Sequence, residues 1–141
     1  VADAEGDGHG IEAAVGEVPI EVNFARSAAL TQPGGVWLSY HAVAGGTCAL
    51  VHAGAKPDCS CNSDGQAVCT GEGQALKATL HPVPVAIAKP IHFDNINGTV
   101  TPTATIRVQS ASGQEVHHKV NLMGRVRSCS PQGAVTGYSA C

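Results

Sequence analysis

The sequence predicts an all-β fold, a disulfide-stapled antiparallel β-sandwich of jelly-roll or immunoglobulin-like order with an extended N-terminal segment. Three observations carry this. Six cysteines, Cys48, Cys59, Cys61, Cys69, Cys129 and Cys141, form an even set that includes the last residue, as a disulfide framework does where it ties down an end that would fray. Apolar and polar residues alternate with period two along several segments, the pattern of half-buried strands. Gly-rich breaks at Pro33-Gly34-Gly35, Gly45-Gly46 and Gly71-Glu72-Gly73 separate those segments at turn spacing.

In chain order, residues 1–16 read as an extended Gly-rich leader and 17–141 as the sandwich domain. In the leader, Ile11, Ala13 and Val15 alternate with Glu12, Ala14 and Gly16, a spacing suited to a strand that completes the sheet of a neighbouring subunit. Asp3, Glu5 and Asp7 place acids at alternate positions without completing a calcium-loop pattern. Val18, Ile20, Val22 and Phe24 alternate with polar residues as a strand would. Further strands are predicted over 36–43, 47–52, 76–81, 83–87, 100–108, 116–126 and 134–139. Those over 100–108 and 116–126 should pair as an antiparallel hairpin through Ser110-Ala-Ser-Gly-Gln114. The segment His81–His92 holds three prolines, which cannot donate to a ladder, so it should lie at an edge or cross between sheets. Trp37 precedes every cysteine, so no Cys…Trp…Cys arrangement selects a true immunoglobulin domain.

The cysteine spacing favours disulfides over zinc. Cys59 and Cys61 are separated by one residue and Cys61 and Cys69 by seven, and no second closely spaced pair supplies further ligands. Asp64-Gly65 sits in the middle of Cys61–Cys69 as the turn of a small hairpin that a bridge could close. This Cys-x-Cys…Asp-Gly…Cys stretch resembles, over about eleven residues, the half-module core of von Willebrand factor type C repeats, without their flanking Cys-Cys pair. No function is carried over.

The chain begins Val1-Ala2-Asp3 and reads as a processed, exported product, secreted or on a cell surface. No run approaches the 18 or so apolar residues of a membrane-spanning helix. Only 13% of residues are charged and 4% aromatic, with a net charge of −3, which gives no overall electrostatic footprint for nucleic acid. No Gly-x-Ser-x-Gly elbow or phosphate loop is present, and paired cysteines leave no thiolate, so no enzyme activity is expected. No metal site and no cofactor are expected either. The seven histidines lack ligand spacing, and His117 and His118, adjacent on a strand, point to opposite faces. His118 should be a hydrogen-bonded core histidine, and His41 and His117 would meet only if their strands were neighbours. Asn97-Gly98-Thr99 is an N-glycosylation sequon at Asn97.

The functional expectation is a secreted structural protein, a subunit that polymerises with itself into an extracellular filament, pilus-like fibre or surface layer. The alternatives are a monomeric exported binding module for a carbohydrate, a metal or a surface partner, using Trp37, Tyr40 and His41, or a small secreted protease inhibitor whose loop is held by Cys59, Cys61 and Cys69.

Overall fold

The structure, a computed structural model, describes residues 2–133 and 135–141, with the side chains of residues 2–10 and 132 outside the description. It is mostly β and antiparallel. A five-stranded sheet has the order β5-β2-β1-β7-β8, a four-stranded sheet the order β11-β10-β9-β6, and β3-β4 is a separate hairpin. The larger sheet comprises β1 (Val36–Val43), β2 (Gly46–Ala53), β5 (Gln74–His81), β7 (Ile91–Phe93) and β8 (Val100–Thr101). The smaller comprises β6 (Val85–Ala86), β9 (Ala104–Gln109), β10 (Glu115–Val120) and β11 (Val126–Cys129). The hairpin is β3 (Cys59–Cys61) with β4 (Ala67–Cys69).

The N-terminal region is not extended. It forms a helix, α1 (Ala2–Ala29), which runs through both the expected leader and the strand expected over 18–24. The physical reason is a second periodicity. Ile11, Ala14, Val15, Val18, Val22, Ala25 and Ala29 recur every three or four residues, and all are buried, the stripe a helix lays on a core. The alternation of Val18, Ile20, Val22 and Phe24 coincides with this stripe only at 18 and 22, and Ile20 and Phe24 face outward. The stripe touches β1, β2, β5 and β7 of one sheet and β9 and β10 of the other. One core therefore holds helix and both sheets, with Leu38, Val51, Ile91, Phe93, Ile106, Val108, Val116 and Val120 opposite α1. The boundary expected at residues 16/17 falls inside the helix.

Pro19 lies within α1 and has no N–H, so the helical bond to the Val15 carbonyl cannot form. His118 on β10 lies buried opposite this point. Its Nδ1 is 2.7 Å from the Ser128 hydroxyl, and its Nε2 faces the Val15 backbone without closing a hydrogen bond of full geometry. This is the core histidine expected from its place on the apolar face. Burial is the largest cause of a pKa lowered to about 4, with the charge of His117 adding to it and the Val15 backbone opposing it.

The proline-rich stretch crosses between sheets, as expected: β5 ends at His81 in the larger sheet, β6 forms the edge of the smaller, and β7 returns to the larger. Only Val85–Ala86 of the strand expected over 83–87 pairs. Buried Thr47 takes over what the ladder loses, its hydroxyl donating to the Val83 carbonyl at 3.0 Å and accepting from the Val85 N–H at 2.9 Å. The strand expected over 100–108 breaks at Pro102, which cannot donate to a ladder. That expected over 116–126 is two strands joined by a turn at 121–125, in which Gly124 has φ +78°. The β9–β10 hairpin pairs as expected, from Ala104↔Val120 to Glu115↔Gln109. Of the strand expected over 134–139, residue 134 lies outside the described residues; over the rest, Val135 and Tyr138, three apart, both pack on the core, and Ser130 and Ala140 form a single bridge.

All six cysteines are paired: Cys48–Cys61, Cys59–Cys69 and Cys129–Cys141. The second crosses hairpin β3–β4 at the directly opposed pair Cys59↔Cys69, the first fastens that hairpin to β2, and the third closes the C-terminal loop onto β11.

Candidate functional site

The residues proposed for surface binding separate by strand parity. Along β1, Val36 and Leu38 turn into the core, and Tyr40 follows them, while Trp37, Ser39 and His41 occupy the outer face. Tyr40 therefore leaves the expected cluster. Its hydroxyl donates to Glu21 Oε1 at 2.8 Å, and His81 Nε2 donates to Glu21 Oε2 at 2.7 Å. Glu21 and His81 are 1% and 2% exposed. This triad pins α1 to β1 and β5, with its carboxylate and imidazole closed to solvent. Burial, followed by the Glu21 charge and hydrogen bond, pushes the Tyr40 pKa well above its ordinary value.

On the outer face, register sets Trp37 opposite His52 and His92, and His41 opposite Cys48. The Trp37 indole N–H is used by the Gly54 carbonyl at 3.0 Å, and its ring packs on His92 with centroids 4.7 Å apart. His92 in turn donates to the Gly34 carbonyl at 2.8 Å. His41 Nε2 lies 2.8 Å from the Ser39 hydroxyl, and burial lowers its pKa. His52 is fully buried, and neither ring nitrogen closes a hydrogen bond of full geometry. Burial lowers its pKa first, His41 adds to this, and the Lys56 backbone and Asp58 oppose it. Trp37 is thus engaged by the segment after β2 and by β7, while the hairpin β3–β4 is fastened to β2 at Cys48, opposite His41. Among the described residues, no three His, Cys, Asp or Glu side chains converge as a metal centre requires.

His41 and His117 do not meet, because β1 and β10 belong to different sheets. The expected inter-subunit strand is also corrected: Ile11 and Val15 are buried in the chain's own core as part of α1, and Ala13 faces outward on the helix. A side chain committed to its own core cannot also fill a neighbour's groove. Asp3, Glu5 and Asp7 lie outside the described side chains. Asn97 is exposed on the turn between β7 and β8, where the Asp94 carboxylate accepts from the N–H groups of Ile96, Asn97 and Thr99 and from the Thr99 hydroxyl. These bonds, Thr99's hydroxyl foremost, hold the Asp94 pKa well below the carboxylate range.

Two features escaped the sequence reading. The first is apolar. Gly98 and Gly124, both at positive φ, admit the Arg26 side chain, which a Cβ on either would approach to 3.0 Å. Arg26 thereby joins the turns at 94–99 and 121–125, which expose Ile96, Leu122 and Met123 by 78%, 56% and 57%. At the other edge of the larger sheet, α1 exposes Ile20 and Phe24, with the Lys77 ammonium of edge strand β5 lying 5.3 Å from the Phe24 ring centre. The second is cationic, on the outer face of the smaller sheet. Its signal lay in the alternation itself, which sets Arg107 and Lys119 opposite the core-facing positions of their strands.

Compared with known proteins, the chain matches no family model, no curated protein and no solved structure. Among the described residues, no helix is long and apolar enough to cross a membrane.

Proposed function

We propose that this protein is an exported structural subunit that assembles with copies of itself into a filament or fibre. The observation that carries the reading is the pair of unlike apolar patches at opposite edges of the larger sheet: Ile20 and Phe24 beside β5, and Ile96, Leu122 and Met123 around the β7–β8 turn. Large exposed apolar side chains gathered in one place mark interaction surfaces. Two different patches on one molecule pair head to tail, and a head-to-tail contact that does not close into a ring grows into a fibre. The three disulfides support an oxidising, extracellular setting, and α1, held in its own core, leaves assembly to rigid surfaces instead of an exchanged strand.

The test uses two variants, Ile20→Ser/Phe24→Ser and Ile96→Ser/Met123→Ser, all at exposed positions. Wild-type protein should polymerise with rising concentration in sedimentation and negative-stain imaging. Each variant alone should remain monomeric and folded by circular dichroism. An equimolar mixture should stop at a heterodimer, because each supplies the patch the other lacks. A wild type that is monomeric at every concentration, or either variant forming fibres, overturns the reading.

A further inference from the structure

We propose that the outer face of the smaller sheet is a binding track for an acidic polysaccharide. Residues 89–141 carry five Lys or Arg against two Asp or Glu, while residues 1–88 carry three against nine. The net charge of −3 therefore hides a cationic half, and the fold concentrates it. Ile106, Val108, Val116, His118 and Val120 turn into the core, so Arg107 on β9 and Lys119 on β10 face outward. Register places Arg107 opposite His117, and Lys119 between Thr105 and Arg127. Lys119 and Arg127 are thus directly opposed like charges, a pairing that weakens a sheet and calls for an anion to offset it. The only acid among these strands, Glu115, lies 3.6 Å from His117.

The surface is concave as well as cationic. Lys89, Arg107, His117 and Lys119 surround a groove of about 650 Å³ whose walls include Thr103 and Thr105. Two further hollows, of about 480 and 160 Å³, both include Lys119 and Arg127, and the first adds Arg125. All three include Lys119, so the hollows form one track across β9, β10 and β11, in which Lys119 directly opposes Arg127 at about 5 Å between Cβ atoms and Arg107 lies diagonal to Lys119 at about 7–8 Å. A single small anion would leave most of it unoccupied, whereas a chain of repeated carboxylates or sulfates would reach each cation in turn.

The lining selects among polyanions. No Phe, Tyr or Trp borders the three hollows, so the stacking platforms that hold single-stranded nucleic acid are missing. Among the described residues the helical structure beside these strands, apart from α1 on their core face, is a single 3-10 turn, Pro131–Gly133, too short to enter a duplex groove. Threonine hydroxyls beside the cations match the hydroxyls of a sugar backbone.

The probes are alginate for carboxylates, dextran sulfate for sulfates, neutral dextran as control, and duplex DNA. They are titrated by calorimetry into dilute wild-type protein, Arg107→Gln/Lys119→Gln/Arg127→Gln, and the off-track control Lys56→Gln. Alginate or dextran sulfate should bind the wild type at about 0.15 M salt, and neutral dextran should not. The track variant, folded by circular dichroism, should bind at least about tenfold more weakly and with a shallower salt dependence, while the control variant should match wild type. Equal loss in both variants would reduce the effect to net charge and overturn the track. Unchanged binding by the track variant, no binding of either acidic polymer, or tighter binding of duplex DNA would each overturn the proposal. Assembly is read separately, and the apolar patches remain intact in every variant.

Discussion

Acidification should destabilise the fold through His118, by an amount the structure bounds. Its side chain is 1% exposed and its pKa is lowered to about 4 from 6.5. In the unfolded chain the imidazole takes up a proton as pH falls below about 6.5, while in the folded protein it stays neutral until about pH 4. The unfolded state therefore binds more protons across that window, and stability falls as pH falls through it, levelling off below about 4. A difference of about 2.5 pKa units corresponds to about 3 kcal/mol. Because His41 and His52 are also lowered, the wild-type slope contains their contributions too, and a variant must isolate His118. His118→Gln keeps a donor toward the Val15 backbone but does not titrate. Urea unfolding of both proteins at several pH values between 7.5 and 4 is the assay. The wild type should lose about 3 kcal/mol more than the variant over this range. Equal losses, within about 0.5 kcal/mol, would show that His118 accepts a proton in the folded state and that its burial is not what sets its pKa. NMR titration of the His118 ring provides the independent reading, with a midpoint well below 6 expected.

Removing one member of the buried triad should be more damaging than removing all of it. Glu21→Gln leaves His81 and Tyr40 facing an uncharged partner and should cost about 3 kcal/mol or more in urea unfolding, whereas Glu21→Met/Tyr40→Phe/His81→Leu should cost less; a single variant that loses under about 1 kcal/mol would refute the anchoring role of the Glu21 carboxylate. Non-reducing, denaturing mass spectrometry with an alkylating reagent should find no modified cysteine, and Cys59→Ala/Cys69→Ala should lower stability by about 3 kcal/mol for a loop of this length. Labelling of two or more cysteines in the wild type would contradict the pairing.

The sequence alone determined those features whose physics is local. Strands β1 and β5 and the β9–β10 hairpin were legible because a half-buried strand writes its two faces as alternation over a few residues, whereas β2, buried on both faces, was legible as a short run bounded by Gly; turns need Gly or Pro at fixed places. The proline-rich crossing was legible because a missing N–H bars a segment from a central strand wherever it lies. The even set of six cysteines implied full pairing but not the partners: Cys61, which bounds the hairpin expected over Cys61–Cys69, pairs with Cys48, and Cys59 pairs with Cys69. Helix α1 was obscured because Val18–Phe24 satisfies a two-residue period in a short window, while the stripe from Ile11 to Ala29 shows its period only over the whole segment. The turn at 121–125 was obscured because Leu122 and Met123 continue the alternation of the strands on either side. Only the tertiary structure could decide that Glu21 meets Tyr40 and His81 and that Arg26 links two distant turns. Those groups are far apart along the chain. Their contacts depend on how two sheets and a helix pack around one core, which the spacing of residues along the chain does not encode.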